Sequence, residues 1–552
     1  MTTIEQVFDE IGGFGKFQTI ILLLQTSIKF LVAYSMMLMS YAGYVGKFEC
    51  VAPSEYGSAP TAYTNGSRLL GVGTGHAGNA SAPALNVCSV NGTKCTDFMF
   101  HGSKRTVTSE WNLVCDLRWL KATIISIQMS GVVLGAIVGG LCGDHFGRKK
   151  TIYGAVLLHI IFNIIAAFSV SWQMFAVMRF FIGITMGAAM VIVIPYPTEF
   201  LPTRWRHVIP LTPCWTLGVM LFAGTAAWLE DWSHLQLTSA ALATLAFAGS
   251  LYMPESPRWL ATQGRLEESH DALLQVARAN GKCLPDLAKE VIKKIADDKR
   301  EMDKDKKYTY LDLFKGRENS KMTIIFSFQW FVLAFIYYGI SFAVTSFAGN
   351  LYLNIFIMNL IQLPIYFITF YILGRVSRRV TCVIFTAIIM CLNLVCVVLH
   401  LTARDEVRSL GISVVCTVTY LVTVGCWSVS QAWVVESYPT VSRSLGSGFV
   451  SLTGRLGSVV SPLLINLDEW PLFSFILMAA LALVCIVGVF FLPETGKLDM
   501  KDTMKGHKNG HMTGQGIKAD PVSDDLGYDV ILTPPGLSPD EPGPKVLAGS
   551  KA

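Results

Sequence analysis

The chain has 552 residues, of which 52% are hydrophobic and 15% charged. That balance departs from soluble averages in the direction a lipid-facing exterior requires, and a soluble fold does not fit it. The formal net charge of +5 is small for this length, and the basic residues sit mainly between apolar stretches, so charge argues for membrane topology and against nucleic-acid binding.

A membrane span needs about 20 mainly apolar residues, because the hydrocarbon core is about 30 Å thick and a helix rises about 1.5 Å per residue. The first such stretch begins after Phe17 and runs past Tyr44, too long and too far in for a cleaved signal peptide, so it reads as a retained span. Spans are expected at about 17–45, 119–142, 151–170, 175–196, 208–229, 235–253, 321–347, 350–373, 380–401, 409–436, 446–466 and 471–492. These make an all-α membrane protein of twelve transmembrane helices. Basic loops at Arg148, Lys149 and Lys150, at Arg204 and Arg206, at Arg375, Arg378 and Arg379, and at Arg443 fall on alternate crossings. The loops at Glu230/Asp231 and Asp468/Glu469 fall on the other side, so the excess of basic residues on inner loops places both termini in the cytosol.

The segment 46–118 between the first two spans fits an outward-facing loop. It holds three glycosylation sequons, at Asn65, Asn79 and Asn91, and none occurs elsewhere in the chain. It also holds Cys50, Cys88, Cys95 and Cys115, an even set that in an oxidising compartment is expected to form two disulfides, with three pairings open. The other nine of 13 cysteines are expected in or near spans as small packing residues. Residues 254–320 turn mixed-charge and helical in pattern, as a cytosolic linker between an N-terminal half, 1–253, and a C-terminal half, 321–498. The tail, 499–552, is rich in Gly, Pro, Asp and Lys and is expected to be disordered in the cytosol.

Three signatures recur in order. Gly143-Asp-His-Phe-Gly-Arg-Lys-Lys150 is echoed by Gly374-Arg-Val-Ser-Arg-Arg379, Glu199-Phe-Leu-Pro-Thr-Arg204 by Glu436-Ser-Tyr-Pro-Thr-Val-Ser-Arg443, and Pro254-Glu255-Ser256 by Pro493-Glu494-Thr495. The residue offsets Gly143 to Gly374, Glu199 to Glu436 and Glu255 to Glu494 are 231, 237 and 239, a near-constant register expected of a six-plus-six parallel repeat. Two pseudo-symmetric six-helix halves point to a transporter ahead of a receptor or a membrane enzyme.

These motifs, together with Phe8 to Gln18 (FDEIGGFGKFQ), Ser109 to Cys115 (SEWNLVC) and Pro254 to Leu260 (PESPRWL), make the chain resemble the major facilitator superfamily over about residues 4–500. Within it the chain resembles the organic cation, anion and zwitterion transporters of solute carrier family 22. The GDHFGRKK and PESPRWL motifs are superfamily-wide, whereas the N-terminal motif and the first loop are specific to the family. The resemblance implies a latch on the cytosolic side between the halves. Asp144, Arg148, Glu199, Arg204, Glu255, Arg258, Glu436 and Arg443 are its expected members, with Asp144, Arg148 and either Glu199 or Glu436 forming charge pairs that break as the inside opens.

Arg455 lies nine residues beyond Gly446, roughly 13 Å deep at about 1.5 Å per residue, and an arginine at that depth usually faces a partner or a watery cavity. In the family the position sixteen residues after the proline matching Pro439 is an acid in typical cation carriers and an arginine in anion and carnitine-type carriers. The arginine here implies substrates bearing a carboxylate or sulfate, which a guanidinium holds bidentately. Where the family motif of the eighth span carries Glu or Asp, this chain has Gln362, followed by Pro364, which weakens the reading as a cation carrier. Lys29 is a second expected cavity cation, with snorkelling along its stem as the alternative. Trp330, Tyr337, Trp215 and Trp427 fall at positions that line the cavity in related carriers and offer flat apolar walls for ring-bearing ligands.

No enzyme, metal or cofactor signature is found. Gly71-Val-Gly-Thr-Gly75 lacks the strand-to-helix setting of a phosphate cradle, and His159 reads as a packed polar residue. The expectation is a polyspecific plasma-membrane carrier of small organic ions, working by alternating access within membrane lipid and favouring organic anions or carnitine-like zwitterions. A coupled or exchanged ion is a further expected partner. An organic cation carrier and a non-transporting receptor or scaffold are the alternatives.

Overall fold

The computed structural model describes residues 4–51, 86–90, 93–95, 97–202, 205–206, 213–302, 310–373, 375–438 and 443–494. The sequon asparagines Asn65, Asn79 and Asn91, Arg204 and the tail 499–552 lie outside the described residues. In chain order, α1 (Ile4–Glu10) and α2 (Lys16–Ala42) precede the first loop. There β1 (Lys47–Val51) pairs antiparallel with β4 (Asp97–His101), and β2 (Ser89–Val90) with β3 (Thr93–Lys94). The loop is fastened by disulfides Cys50–Cys95 and Cys88–Cys115, which selects one of the three open pairings.

The short α3 (Val107–Glu110) leads into α4 (Trp119–Phe146), α5 (Arg148–Ala167), α6 (Trp172–Ile192), the single turn α7 (Pro195–Thr198), α8 (Cys214–Leu229) and α9 (Trp232–Ala248). The linker forms α10 (Pro257–Thr262), α11 (Leu266–Ala279) and α12 (Leu287–Met302). The second half contains α13 (Arg317–Ala343), α14 (Leu351–Leu360), α15 (Gln362–Leu373), α16 (Arg378–Thr402), α17 (Asp405–Ser437), α18 (Arg443–Leu464) and α19 (Pro471–Phe490).

Local chemistry sets the helix starts. Ser171, Asp231, Ser256, Asn350 and Ser377 each accept a backbone N–H of the first turn that follows, satisfying donors with no partner inside the helix. Among the described residues nine helices are long and apolar enough to cross a membrane. Helices α8, α9 and α18, which complete the twelve, are harder to recognise. The first is described over 16 residues and the second has 17, while α18 is diluted by glycine, serine and Arg455. The eighth span, expected as one helix over 350–373, is divided into α14 and α15 at Ile361. Pro364 lacks the N–H that would bond to the carbonyl of Leu360, so the ladder breaks there.

In the first half α4 packs on α6, α5 on α6 and α9, and α2 on α8 and α9; in the second, α13 packs on α17 and α18, and α16 on α17 and α19. The closest approach is between α4 and α6, where a Cβ added to Gly135 would stand 2.0 Å from the Ile184 carbonyl oxygen and one on Gly187 2.2 Å from that of Val132. Small residues four apart let two backbones touch, which is how spanning helices associate in a solvent as apolar as themselves. The halves meet along two seams, α4 with α18 and α8 with α14. Large apolar side chains such as Leu141, Trp228, Leu245 and Phe367 remain exposed on the outer faces.

The linker is shared unequally. Asn280, which ends α11, accepts the Phe17 N–H (2.9 Å) and donates to the Ile11 carbonyl (2.9 Å), so α11 is fastened to the start of α2. The turn Tyr310–Phe314 packs instead on the second half, with Phe314 5.4 Å from Phe449 of α18. Cys283, expected with the packing cysteines, is exposed in the linker because it falls on the turn between α11 and α12.

Candidate functional site

The end of the molecule carrying α1 and the linker contains the same polar network twice. In the first half Arg148 opens α5 and pairs with Asp144 (2.5 Å) and Glu199 (3.3 Å), while Glu255 accepts the Lys149 N–H (3.0 Å) at that helix start. In the second half Arg378 opens α16 and pairs through two nitrogens with Glu436 (3.1 Å each), while Glu494 accepts the Arg378 N–H (3.1 Å). Each acid at a helix N-terminus is favoured by the unpaired N–H groups and the helix dipole. The hydroxyl of Tyr196 donates to the Pro254 carbonyl (2.5 Å), and 237 positions later the indole of Trp433 donates to that of Pro493 (3.2 Å).

The internal repeat is therefore a repeat of hydrogen bonding as well as of letters. In this conformer Arg148 is bonded within its own half to Asp144 and Glu199, and Glu436 belongs to Arg378. Arg258 bonds Glu5 of α1 (3.5 Å), as does Arg206 (3.0 Å). Burial, with the neighbouring Arg206 charge, lowers the pKa of Arg258, and Glu5 opposes that. Arg443 opens α18.

At mid-depth the four aromatic residues singled out in the sequence come together. Trp215 of α8 donates its indole N–H to the Tyr337 hydroxyl of α13 (2.9 Å), a bond between the halves. Tyr337 stacks on Tyr420 of α17 with ring centres 4.6 Å apart, and the two hydroxyls are hydrogen-bonded at 2.8 Å. Trp427, two turns further along α17, lies 5.3 Å from Trp330, whose indole donates to Ser430 (3.0 Å). Gln362, at the break in the eighth span, is buried; its amide nitrogen donates to Met358 and Asn359, and its Oε1 has no described partner.

Two basic side chains flank this cluster. Lys29, partly exposed on α2, neighbours Cys214, which precedes Trp215 and lies beside Tyr366 of α15. Arg455, partly exposed on α18, neighbours Tyr338 and donates a weak contact to the sulfur of Met190 on α6 (3.9 Å). Neither has an ion-pair partner among the described residues. A third intramembrane cation, Arg179 of α6, is fully buried and donates to Gln128 and to the Ser35 carbonyl, so it serves packing within the first half. The central stretches of the twelve spanning helices contain these three cations and no aspartate or glutamate. His159 is likewise buried, its Nδ1 3.0 Å from the Thr185 hydroxyl.

The opposite end, bearing the disulfide-bonded loop, joins the halves through several contacts. Lys121 of α4 donates to Thr345 (2.8 Å), Arg118 approaches Asp468 and Glu469 (3.7 Å each), and Tyr352 of α14 donates to Glu230 (3.3 Å). A cavity of about 210 Å³ is left there between the loop and both halves, lined by Asn86, Arg118, Lys121, Thr345 and Asp468 among others.

Sequence reasoning missed Tyr338 and Tyr420 and, although it aligned Glu494 with Glu255, did not name it among the site residues. Tyr420 is seven residues before Trp427, on the same helix face, and Glu494 occupies the place of Glu255 in the repeat, so both carried a usable signal.

Residues 25–504 match the family model described as "Sugar (and other) transporter". The chain is 30% identical over 405 residues to solute carrier family 22 member 7 of Bos taurus, covering 72% of this chain and 73% of that protein. It is 29% identical over 562 residues to organic anion transporter 3 of Homo sapiens, covering 97% of this chain and 99% of that protein. Among solved structures, the xylose transporter XylE from E. coli in an inward-open conformation shares the fold with a TM-score of 0.60 at 18% identity, over 86% of this chain and 96% of that one. The chain therefore belongs to the sugar (and other) transporter family of the major facilitator superfamily, and within it to the organic ion transporters of solute carrier family 22, as a multi-pass membrane transporter and not an enzyme.

Proposed function

We propose that the protein carries organic anions, or zwitterions presenting a carboxylate, across the plasma membrane by alternating access. One observation carries this reading: Arg455 of the second half reaches Met190 of the first, Lys29 lies beside Cys214, and no central stretch of the spans holds a carboxylate. A guanidinium beside an aromatic wall, in a region of low dielectric, attracts a carboxylate strongly and repels an ammonium for the same reason. Gln362 leaves that field uncompensated, and the partnerless Oε1 accepts a hydroxyl or amide of the substrate. Trp215, Trp330, Tyr337 and Trp427 hold ring-bearing bodies by area and stacking. The name organic anion transporter 3, borne by a relative aligned over nearly the whole chain, agrees with the sign of the charge.

The loop end faces outward and the termini inward. Asp144, Arg148, Glu199, Glu255, Arg258, Glu436 and Arg443 form two switch networks, one per half, that rearrange as the inner end opens and closes. In this conformer the loop-end contacts hold the outer side together.

Uptake of a labelled aromatic carboxylate and of a quaternary ammonium of matched size, in cells expressing wild type and Arg455→Glu, tests the assignment. Loss of a charge-assisted contact of about 1.5–3 kcal/mol predicts a fall of roughly 10- to 100-fold in carboxylate uptake efficiency. Robust ammonium uptake that Arg455→Glu leaves untouched would support the cation reading instead. Surface expression with no uptake or exchange of either probe would support a receptor.

A further inference from the structure

The returning arm of the disulfide-bonded loop places an ammonium group between aromatic rings. Lys104 Nζ lies 4.7 Å from the ring centre of Tyr352 and 5.1 Å from that of Tyr44. Tyr44 follows α2 in the first half, whereas Tyr352 belongs to α14 in the second. Tyr41 stacks behind Tyr352, 6.1 Å away at an interplanar angle of 23°. The Tyr352 hydroxyl donates to Glu230 Oε1 (3.3 Å), and the other oxygen of that carboxylate accepts from Ser103 (2.7 Å). Lys104 has no ion pair among the described residues; the two ring faces are its described partners.

Aromatic faces around a cation, with a carboxylate alongside, are the arrangement that recognises alkylammonium groups. Bonding of its hydroxyl to a carboxylate makes the Tyr352 ring richer in electrons, which strengthens the attraction. The cage is built before any ligand arrives. Arg105, next to Lys104, is tied by its own N–H to the Glu230 carbonyl (2.9 Å), by its carbonyl to the Trp232 N–H (3.1 Å), and by its guanidinium to Glu110 (2.6 Å) and Asp231 (3.2 Å). These bonds set the arm in place, so Lys104 is delivered to the rings at a high effective concentration.

We propose that Tyr44 and Tyr352, with Glu230, form an alkylammonium-binding cage at the loop end, and that Lys104 fills it as a tethered occupant. Because one ring comes from each half, an ammonium seated there fastens the two halves at this end. The site is separate from the mid-depth cluster and takes the opposite charge. A free quaternary ammonium ion occupies it when Lys104 is withdrawn and restores the same fastening.

The full chain, purified in lipid nanodiscs, is tested as wild type, Lys104→Ala, Lys104→Gln, and Lys104→Ala combined with Tyr352→Leu, with tetramethylammonium as probe and tert-butanol as its neutral counterpart. The readout is the thermal midpoint, which does not depend on which compound is carried, so the outcome is separable from that of the transport assignment. Tetramethylammonium up to about 100 mM, a range suited to a weak site, raises the midpoint of Lys104→Ala and Lys104→Gln and leaves wild type and the double variant unmoved. Tert-butanol moves none of them. A rise of equal size in wild type, a rise that survives Tyr352→Leu, an equal rise with tert-butanol, or no rise in both single variants would overturn the proposal.

Discussion

Asn280 shows how much one side chain can do at the junction of three segments. Its amide donates to Ile11 and Gln18, its oxygen accepts from Phe17, and Gly15 is bare because a Cβ there would lie 2.4 Å from Asn280 Oδ1. Asn280→Ala leaves the first turn of α2 with an unpaired donor, so we expect a loss of about 1–3 kcal/mol, read as a lower thermal midpoint. An unchanged midpoint would show that the linker is held by apolar packing alone. At the same scale, Gln362→Glu introduces a carboxylate beside the aromatic cluster and should lower carboxylate uptake while admitting ammonium compounds, checked by the ratio of the two uptake rates. Lys29 and Arg455 stood out because charged residues are rare in apolar stretches, and Gln362 because the family motif carries an acid at its place. Tyr338, adjacent to Tyr337, did not: neighbours on a helix point about 100° apart, and a sequence does not say which of the two directions meets Arg455.

The elements were legible as far as each depends on its own residues. Nine spans stand out by length and apolarity, whereas the interruption at Ile361 is a tertiary as well as a local event, because a proline in a spanning helix either kinks or breaks it according to its neighbours. The repeat of signatures aligned Glu199 with Glu436 and Glu255 with Glu494, and each pair occupies the same place in its half. The expectation that Arg148 pairs with either Glu199 or Glu436 left open which half holds its partner, since loop motifs give composition without distance. Here Arg148 and Arg378 each find an acid within their own half. Glu255→Ala and Glu494→Ala remove equivalent acceptors from α5 and α16, so both should cost about 1–2 kcal/mol of stability. A large effect from one alone, by thermal unfolding of the purified variants, would show that the repeat is not equivalent in energy.

For the whole molecule, the proposed alternating access requires two states, and the joined loop end is assigned to one of them. The seam there is made by side chains far apart in sequence, such as Arg118 with Asp468 and Lys121 with Thr345, which no spacing rule could have paired. Bridging Arg118→Cys and Asp468→Cys with a short cleavable bifunctional reagent should stop turnover, and cleaving the bridge should restore it; continued turnover while bridged would mean that this seam does not part.

The proposed selection of organic anions rests on an interior with Lys29 and Arg455 and no carboxylate in the central stretches of the spans. Counterflow in proteoliposomes containing only the purified chain tests it most directly, using an aromatic carboxylate and a trimethylammonium compound of the same shape as competing labelled probes. The carboxylate should accumulate at least about tenfold faster than the ammonium compound, and Arg455→Glu should lose that preference. Faster accumulation of the ammonium compound by the wild type would contradict the proposed selection.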